Sequence, residues 1–184
     1  PLYTAAYTGV NGGMVIAVAD DPGMHSSQNE QDSRHHAIAA KVPMLEPSDS
    51  SECKEFVKIA FDLSEEFDAP FIVRMSTRVA HSQSVVELCD RDEKELKEYT
   101  KNPQKYVMMP ASAIGRHLVV EDREIRMAED AQDFSVNKME INDKKVGFIT
   151  CGIAYQYVKE VCPNASVLKL GLVNPISRGL VEKF

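Results

Sequence analysis

An unbroken aliphatic run, Met14-Val15-Ile16-Ala17-Val18-Ala19, constrains the fold most. It has no polar alternation and is strand-length, so it reads as a strand buried on both faces of a parallel sheet. Directly behind it lies a long polar stretch, Asp20 to Arg34: two acids, a Pro22-Gly23 turn, then Met24, His25, Ser26, Ser27, Gln28 and Asn29. In open α/β sheets, ligands sit in the loops at the carboxyl ends of strands. A polar loop of this length at that place can line a binding site.

The rest of the chain repeats the alternation. A helix end is expected over 1–10, with Gly9, Gly12 and Gly13 as the stop and turn. These glycines precede the strand and lack the GxxxxGKS pattern, so they are no phosphate cradle. A short helix is expected over 30–40 and a brief strand over 42–46. Asp49 is a helix cap, with Glu52 three residues on to reach back. The helix over 50–67 puts Phe56, Ile59, Ala60 and Leu63 on one face and stops at Asp68-Ala69-Pro70. Phe71 to Met75 is the next strand, parallel to its predecessor by a crossover. Its exit, Ser76 to Ser82, is a second polar loop on the same sheet edge, and the two loops together can wall a crevice.

Composition shifts between Asp90 and Pro110, where a mixed-sign charge run reads as a solvated linker. A long amphipathic helix follows over 112–132, with Ile114, Leu118, Ile125 and Ala128 as its apolar face and Glu121 to Arg126 as an exposed charged face. A second α/β unit closes the chain: strand 145–150, helix 153–161, strand 166–172. The fold class is α/β with a parallel sheet, divided into a unit over 1–89, a linker over 90–143 and a second unit over 144–184.

Charge narrows the function. The 184 residues carry a net charge of −7, with 43% apolar and 27% charged residues. No basic patch exists to release counterions from nucleic acid, and an anionic membrane is excluded on the same ground. No apolar run spans a bilayer and no secretory signal opens the chain. Cys53, Cys89, Cys151 and Cys162 lack the close spacing of zinc or iron-sulfur ligands and read as reduced thiols of a cytoplasmic protein. GxSxG and HExxH are absent. His25 is the foremost candidate to contact a ligand near neutral pH. Arg34 and Arg78 are the cations best placed to fork onto a carboxylate. Arg74, on a strand, reads as a rim charge or salt bridge, and His81 as a crevice-rim residue. His35, His36 and His117 read as structural or surface groups.

Four stretches, VADDPGMHSSQNEQDSRHHA, LEPSDSSECKEF, EEFDAPFIVRMSTRVAHS and Lys145 to Pro175, occur in the order found in one family. The chain resembles the alpha subunits of thiamine-diphosphate-dependent indolepyruvate:ferredoxin oxidoreductases, within the 2-oxoacid:ferredoxin oxidoreductases. The resemblance covers nearly the whole chain. It implies that residues 1–89 are the back half of a pyrimidine-binding domain and 144–184 the start of a transketolase-C-terminal-like domain. Met24 to Asn29 would then face the thiamine and substrate crevice. It implies oxidative decarboxylation of aryl pyruvates to acyl-coenzyme A. The implied partners are a beta subunit, coenzyme A and ferredoxin, with a homodimer possible. Thiamine diphosphate, Mg2+ and iron-sulfur clusters are the implied cofactors. The family's activating glutamate, its Gly-Asp-Gly diphosphate stretch and its CxxCxxC clusters are missing, so the chain, which opens on Pro1, reads as an internal segment inactive alone, with no complete cofactor site. Where pyruvate-using relatives place a carboxylate-binding arginine, Asp20-Asp21 stands here. The rival readings are a non-catalytic partner-binding module, and a relative specific for pyruvate or 2-oxoglutarate.

Overall fold

The computed structural model describes residues 1–91 and 93–184. The charge run over 91–98 includes Asp92, which lies outside the described residues. The first unit comprises α1 (Leu2–Thr8), β1 (Val15–Asp20), α2 (Arg34–Ala40), β2 (Met44–Leu45), α3 (Ser50–Glu66), β3 (Phe71–Ser76) and α4 (Thr77–Ala80). Short α5 (Pro103–Tyr106) and long α6 (Pro110–Asp130) follow. Then come β4 (Lys138–Glu140), β5 (Asp143–Cys151), α7 (Ala154–Val161), β6 (Ala165–Leu170), β7 (Leu172–Asn174) and α8 (Arg178–Lys183).

One sheet has the order β1-β3-β2-β7 and the other β4-β6-β5. β1, β3 and β2 run parallel, with Asp20 level with Ser76, so both polar loops do leave one end of one sheet. β7 is antiparallel to β2. The expected strand over 166–172 therefore splits. β6 belongs to the second sheet, and β7 crosses to the first. Gly171 is the crossing point, where a Cβ would overlap the Val136 carbonyl. Its amide donates to Asn137 Oδ1 at 2.9 Å and its carbonyl accepts from Glu46 N at 2.8 Å.

Two expectations about burial need correction. β1 is not covered on both faces. It pairs only with β3, at the sheet edge, and Ala17 and Ala19 are exposed. Its aliphatic run reports strand propensity, while position in the sheet sets burial. Helix α6 docks by the face opposite to the expected one. Val120 and Met127 are fully buried and Arg123 nearly so, whereas Ile114, Leu118 and Ile125 are 74%, 64% and 60% exposed. Arg123 donates to the carbonyls of Asp68 at 2.7 Å and Ala6 at 3.0 Å. Arg116 reaches the Asp68 carboxylate at 2.9 Å. These arginines satisfy carbonyls left free at the ends of α1 and α3, which an apolar face could not do.

The core between α3, α6 and the sheet is built on Phe56, Phe67, Phe71, Val73 and Met127. Each such side chain contributes about 1.5–3 kcal/mol on burial, which is enough to hold α3 against β3. Asp49 caps α3, accepting from Glu52 N at 2.9 Å. Glu52 reaches one residue further back than expected, to Ser48 N at 2.9 Å. It also pairs with fully buried Lys169 of β6 and with Lys138 at 3.0 Å, tying the second sheet to the start of α3.

Candidate active-site loop

The loop after β1 is held at both ends by the two adjacent acids that close the strand. Successive strand residues point to opposite faces, so Asp20 and Asp21 diverge and anchor different parts of it. Both are buried, at 4% and 5% exposure.

Asp21 organises the near end. Its Oδ1 accepts from His25 N at 3.0 Å and from Thr77 Oγ1 at 2.8 Å. Its Oδ2 accepts from Ser26 N at 2.8 Å and Ser27 N at 2.9 Å. The Ser26 amide, the Thr77 hydroxyl and the further loop amides hold this carboxyl far below the usual carboxylate range, despite its burial. It is therefore ionised and can only accept. His25 Nδ1, 3.0 Å from Oδ1, donates in that contact because the carboxylate can only accept, which leaves Nε2 facing outward. Gly23 and Met24 both take positive φ, at 81° and 54°, to bring the amides around the carboxylate.

Asp20 fastens the far end. It accepts from Ser33 N and Ser33 Oγ, both at 2.6 Å, and from Arg74 Nε at 2.5 Å. Burial raises its pKa, but the Ser33 and Arg74 bonds outweigh this and hold it below the ordinary value. Arg74 is itself buried on β3 and reaches Glu46 at 3.1 Å and Asp32 at 3.7 Å, so the salt-bridge reading of this residue holds. Arg34 forks onto Asp32 at 2.8 and 2.9 Å and lies 3.6 Å from Glu46. Across the seam, the Cys151 thiol of β5 is pushed up to about 11 by its burial and by the Glu46 carboxylate.

The structure thus separates the candidate residues. Met24, His25, Ser26, Gln28 and Asn29 are exposed around the loop, and Ser27 is half-buried. The second exit, expected as a loop over 76–82, is largely the helical turn α4, and Thr77, its first residue, touches Asp21 directly, so the two strand exits meet. Arg78 is exposed on α4 and makes no ion pair among the described residues. Arg34 has its guanidinium taken by Asp32 and works as an internal brace. His81 is exposed, one residue before Ser82, whose hydroxyl lies 3.3 Å from Ser50 Oγ at the start of α3. His117 stacks on Tyr7 and bonds its hydroxyl at 2.7 Å.

Sequence reasoning missed the anchoring work of Asp20, Asp21, Ser33 and Thr77. A signal was there: two acids at a strand end, followed by a Pro-Gly turn and small hydroxyl residues, is the composition of a carboxylate that collects loop amides.

Residues 14–147 match the family model described as pyruvate flavodoxin/ferredoxin oxidoreductase, thiamine diphosphate-binding. A relative from Archaeoglobus fulgidus, named indolepyruvate oxidoreductase subunit IorA, is 40% identical over all of this chain. The protein of the same name from Pyrococcus abyssi is 42% identical over 98% of it. The chain spans 30% of the length of each. In fold it is similar to a 2-oxoglutarate:ferredoxin oxidoreductase from Magnetococcus marinus, with a TM-score of 0.65 at 14% identity, over 100% of this chain and 41% of that one. A loop braced at the carboxyl end of a parallel α/β sheet, inside a match that takes in both strand-exit loops, places this chain in the pyruvate flavodoxin/ferredoxin oxidoreductase family, within its thiamine-diphosphate-binding part.

Proposed function

We propose that this chain supplies the crevice-lining loops of an indolepyruvate-type 2-oxoacid:ferredoxin oxidoreductase. The observation that carries this is the Asp21-templated loop: its amides are turned inward onto one carboxylate, which leaves His25, Gln28 and Asn29 as the groups presented outward. Preorganised polar side chains on a rigid sheet end are what a substrate-orienting wall requires. Likeness to proteins named indolepyruvate oxidoreductase subunit IorA, at about 40% identity along the whole chain, supports an aryl pyruvate as the substrate class.

The fit to the cofactor is partial. The amides of His25, Ser26 and Ser27 are spent on Asp21 and cannot cradle a diphosphate. No group of three or more His, Cys, Asp or Glu among the described residues could hold a metal ion. Thiamine diphosphate, bound largely by other parts of the protein, would supply the nucleophilic carbon and electron sink for decarboxylating the 2-oxo acid. The residues here would line and orient. Met24 offers an apolar contact to an aryl side chain, and His25 Nε2, Ser26, Ser27, Gln28 and Asn29 offer hydrogen bonds. Arg78, which makes no ion pair among the described residues, is a cation available beside the loop to meet a carboxylate, and Arg34 keeps the loop's far end in place. Mg2+, iron-sulfur clusters, a beta subunit, coenzyme A and ferredoxin complete the reading, with a cytoplasmic setting. No helix among the described residues is long and apolar enough to cross a membrane. Residues 1–89 and 144–184 are read as parts of two domains, with β7 of the second completing the sheet of the first.

In the oxidoreductase containing this segment, His25→Ala and Asn29→Ala are expected to lower kcat/KM for indolepyruvate at least tenfold while circular dichroism stays unchanged. Unchanged kcat/KM in both variants removes the loop from the site. Calorimetric titration with thiamine diphosphate separates the enzyme from a partner-binding module, which would take up none. A panel of indolepyruvate, pyruvate and 2-oxoglutarate settles side-chain preference.

A further inference from the structure

On the crevice reading above, which supplies coenzyme A as the thiol, we propose that Thr77, Asp21 and His25 form a proton-transfer chain whose outward end, His25 Nε2, takes the thiol proton. Asp21 Oδ1 accepts from Thr77 Oγ1 at 2.8 Å and lies 3.0 Å from His25 Nδ1. Thr77 and His25 come from different strand exits, so the imidazole is fixed from the neighbouring strand as well as by its own loop. The His25 amide donates to the same carboxylate oxygen at 3.0 Å, which sets the direction in which the ring leaves the backbone. A buried carboxylate that orients an imidazole, and is itself oriented by a hydroxyl, is the supporting half of a general acid–base pair.

The carboxylate decides which ring nitrogen is free. Oδ1 can only accept, so Nδ1 keeps its hydrogen whether or not the ring is protonated. Every proton the ring gains or loses therefore passes through Nε2. That atom bonds no protein group among the described residues, and the side chain is 46% exposed. The ion pair with Asp21 is the only one His25 makes among the described residues, and the uncharged Thr77 is what α4 brings against that carboxylate. Proton balance selects the thiol. A 2-oxo acid enters ionised, loses its carboxylate as carbon dioxide and passes its electrons to ferredoxin. The proton that the conversion sheds is that of the thiol. In the proposed step the S–H bond breaks, its electron pair stays on sulfur and the proton moves to Nε2, giving a thiolate and an imidazolium. The thiolate is the nucleophilic form. Imidazole exchanges protons between about pH 5 and 8, and a half-exposed ring can pass the proton on to water.

In the complete oxidoreductase, carbon dioxide release in a single turnover without coenzyme A, and acyl-thioester formation once it is added, report the two halves of the reaction separately. His25→Gln keeps a hydrogen-bonding group but cannot take up a proton. Thioester formation at pH 7 is expected to fall about a hundredfold, and at least about tenfold further than carbon dioxide release. Raising the pH from 7 to 9 increases the thiolate fraction of an alkyl thiol about 20-fold, so the thioester deficit of the variant against the native enzyme should narrow about tenfold. Thr77→Val removes the donor behind Asp21 and should slow thioester formation about three- to tenfold, the worth of one hydrogen bond, with the same recovery at pH 9. Thr77→Ser, which restores the hydroxyl, should match the native rate. Equal losses in both halves, or a thioester deficit that persists at pH 9, would overturn the proton transfer while leaving the loop in the crevice. No loss in either half would overturn the crevice reading along with it.

Discussion

Replacing Arg74 by Met tests whether the loop's far end is held by a buried ion network. Arg74 and Asp20 are each 4% exposed and 2.5 Å apart, and Glu46, equally buried, lies 3.1 Å away. Methionine keeps most of the side-chain volume, so little cavity forms, and the main consequence is two buried carboxylates that lose their shared cation. Breaking a buried pair from one side costs about 3–5 kcal/mol, a large part of the roughly 5–15 kcal/mol that stabilises a domain. For a chain of this size that corresponds to about 6–20 °C in Tm. The pH dependence separates this cause from lost packing. In the native chain Asp20 titrates below its ordinary value, so its contribution is complete above about pH 4 and is lost as acid drives it through its lower folded pKa. Without Arg74, only the two Ser33 bonds oppose burial, so the carboxyl titrates higher than in the native chain. The variant then gains stability relative to the native chain as pH falls from 7 toward 4. Urea unfolding at the two pH values measures the gap, and Asp20→Asn added to the variant should restore part of it at pH 7. A loss under about 1 kcal/mol, or a gap independent of pH, would refute the reasoning, because the acids would then not depend on Arg74.

Two further outcomes follow from the seam between the sheets. Burial raises the pKa of Glu52, but pairing with Lys169 and the Ser48 bonds outweigh it and bring it to about 2. Stability from this group is complete above its unfolded value near 4.3 and is lost as pH falls toward 2, and Glu52→Gln should remove that portion of the acid unfolding curve. Retention of the full acid transition in the variant would mean that Glu52 is not its source. Among the thiols, exposed Cys89 should alkylate with iodoacetamide at pH 8 well before Cys151, held near 11 by burial and Glu46. Peptide mass spectrometry reads the order, and equal rates would contradict the placement of Cys151.

Several features were decided by the order of residues alone. Short aliphatic runs bounded by turns yield strands wherever they lie, because strand propensity and chain breaks are local. The loop from Asp20 to Arg34 was legible as a polar strand-exit loop, and so as a candidate site, for the same reason: its polarity and its place behind a strand are both written in one stretch. The α3 cap was legible too, since Asp49 and the Glu52 amide are neighbours in sequence. What remained hidden depended on residues far apart. Arg74 meets Asp20 and Glu46 across 54 and 28 positions, and Lys169 meets Glu52 across 117. A lone charge on a strand reveals nothing of partners the fold brings to it. Helix α6 shows the division most sharply. Its periodicity identified a genuine apolar stripe, but the body turned that stripe outward and docked the faces carrying Arg116 and Arg123, which satisfy the backbone carbonyls at the ends of α1 and α3 and, with Lys105, the Asp68 carboxylate. Periodicity locates a face within one helix. Which face is buried is a property of the surfaces it meets, and those exist only once distant segments have come together.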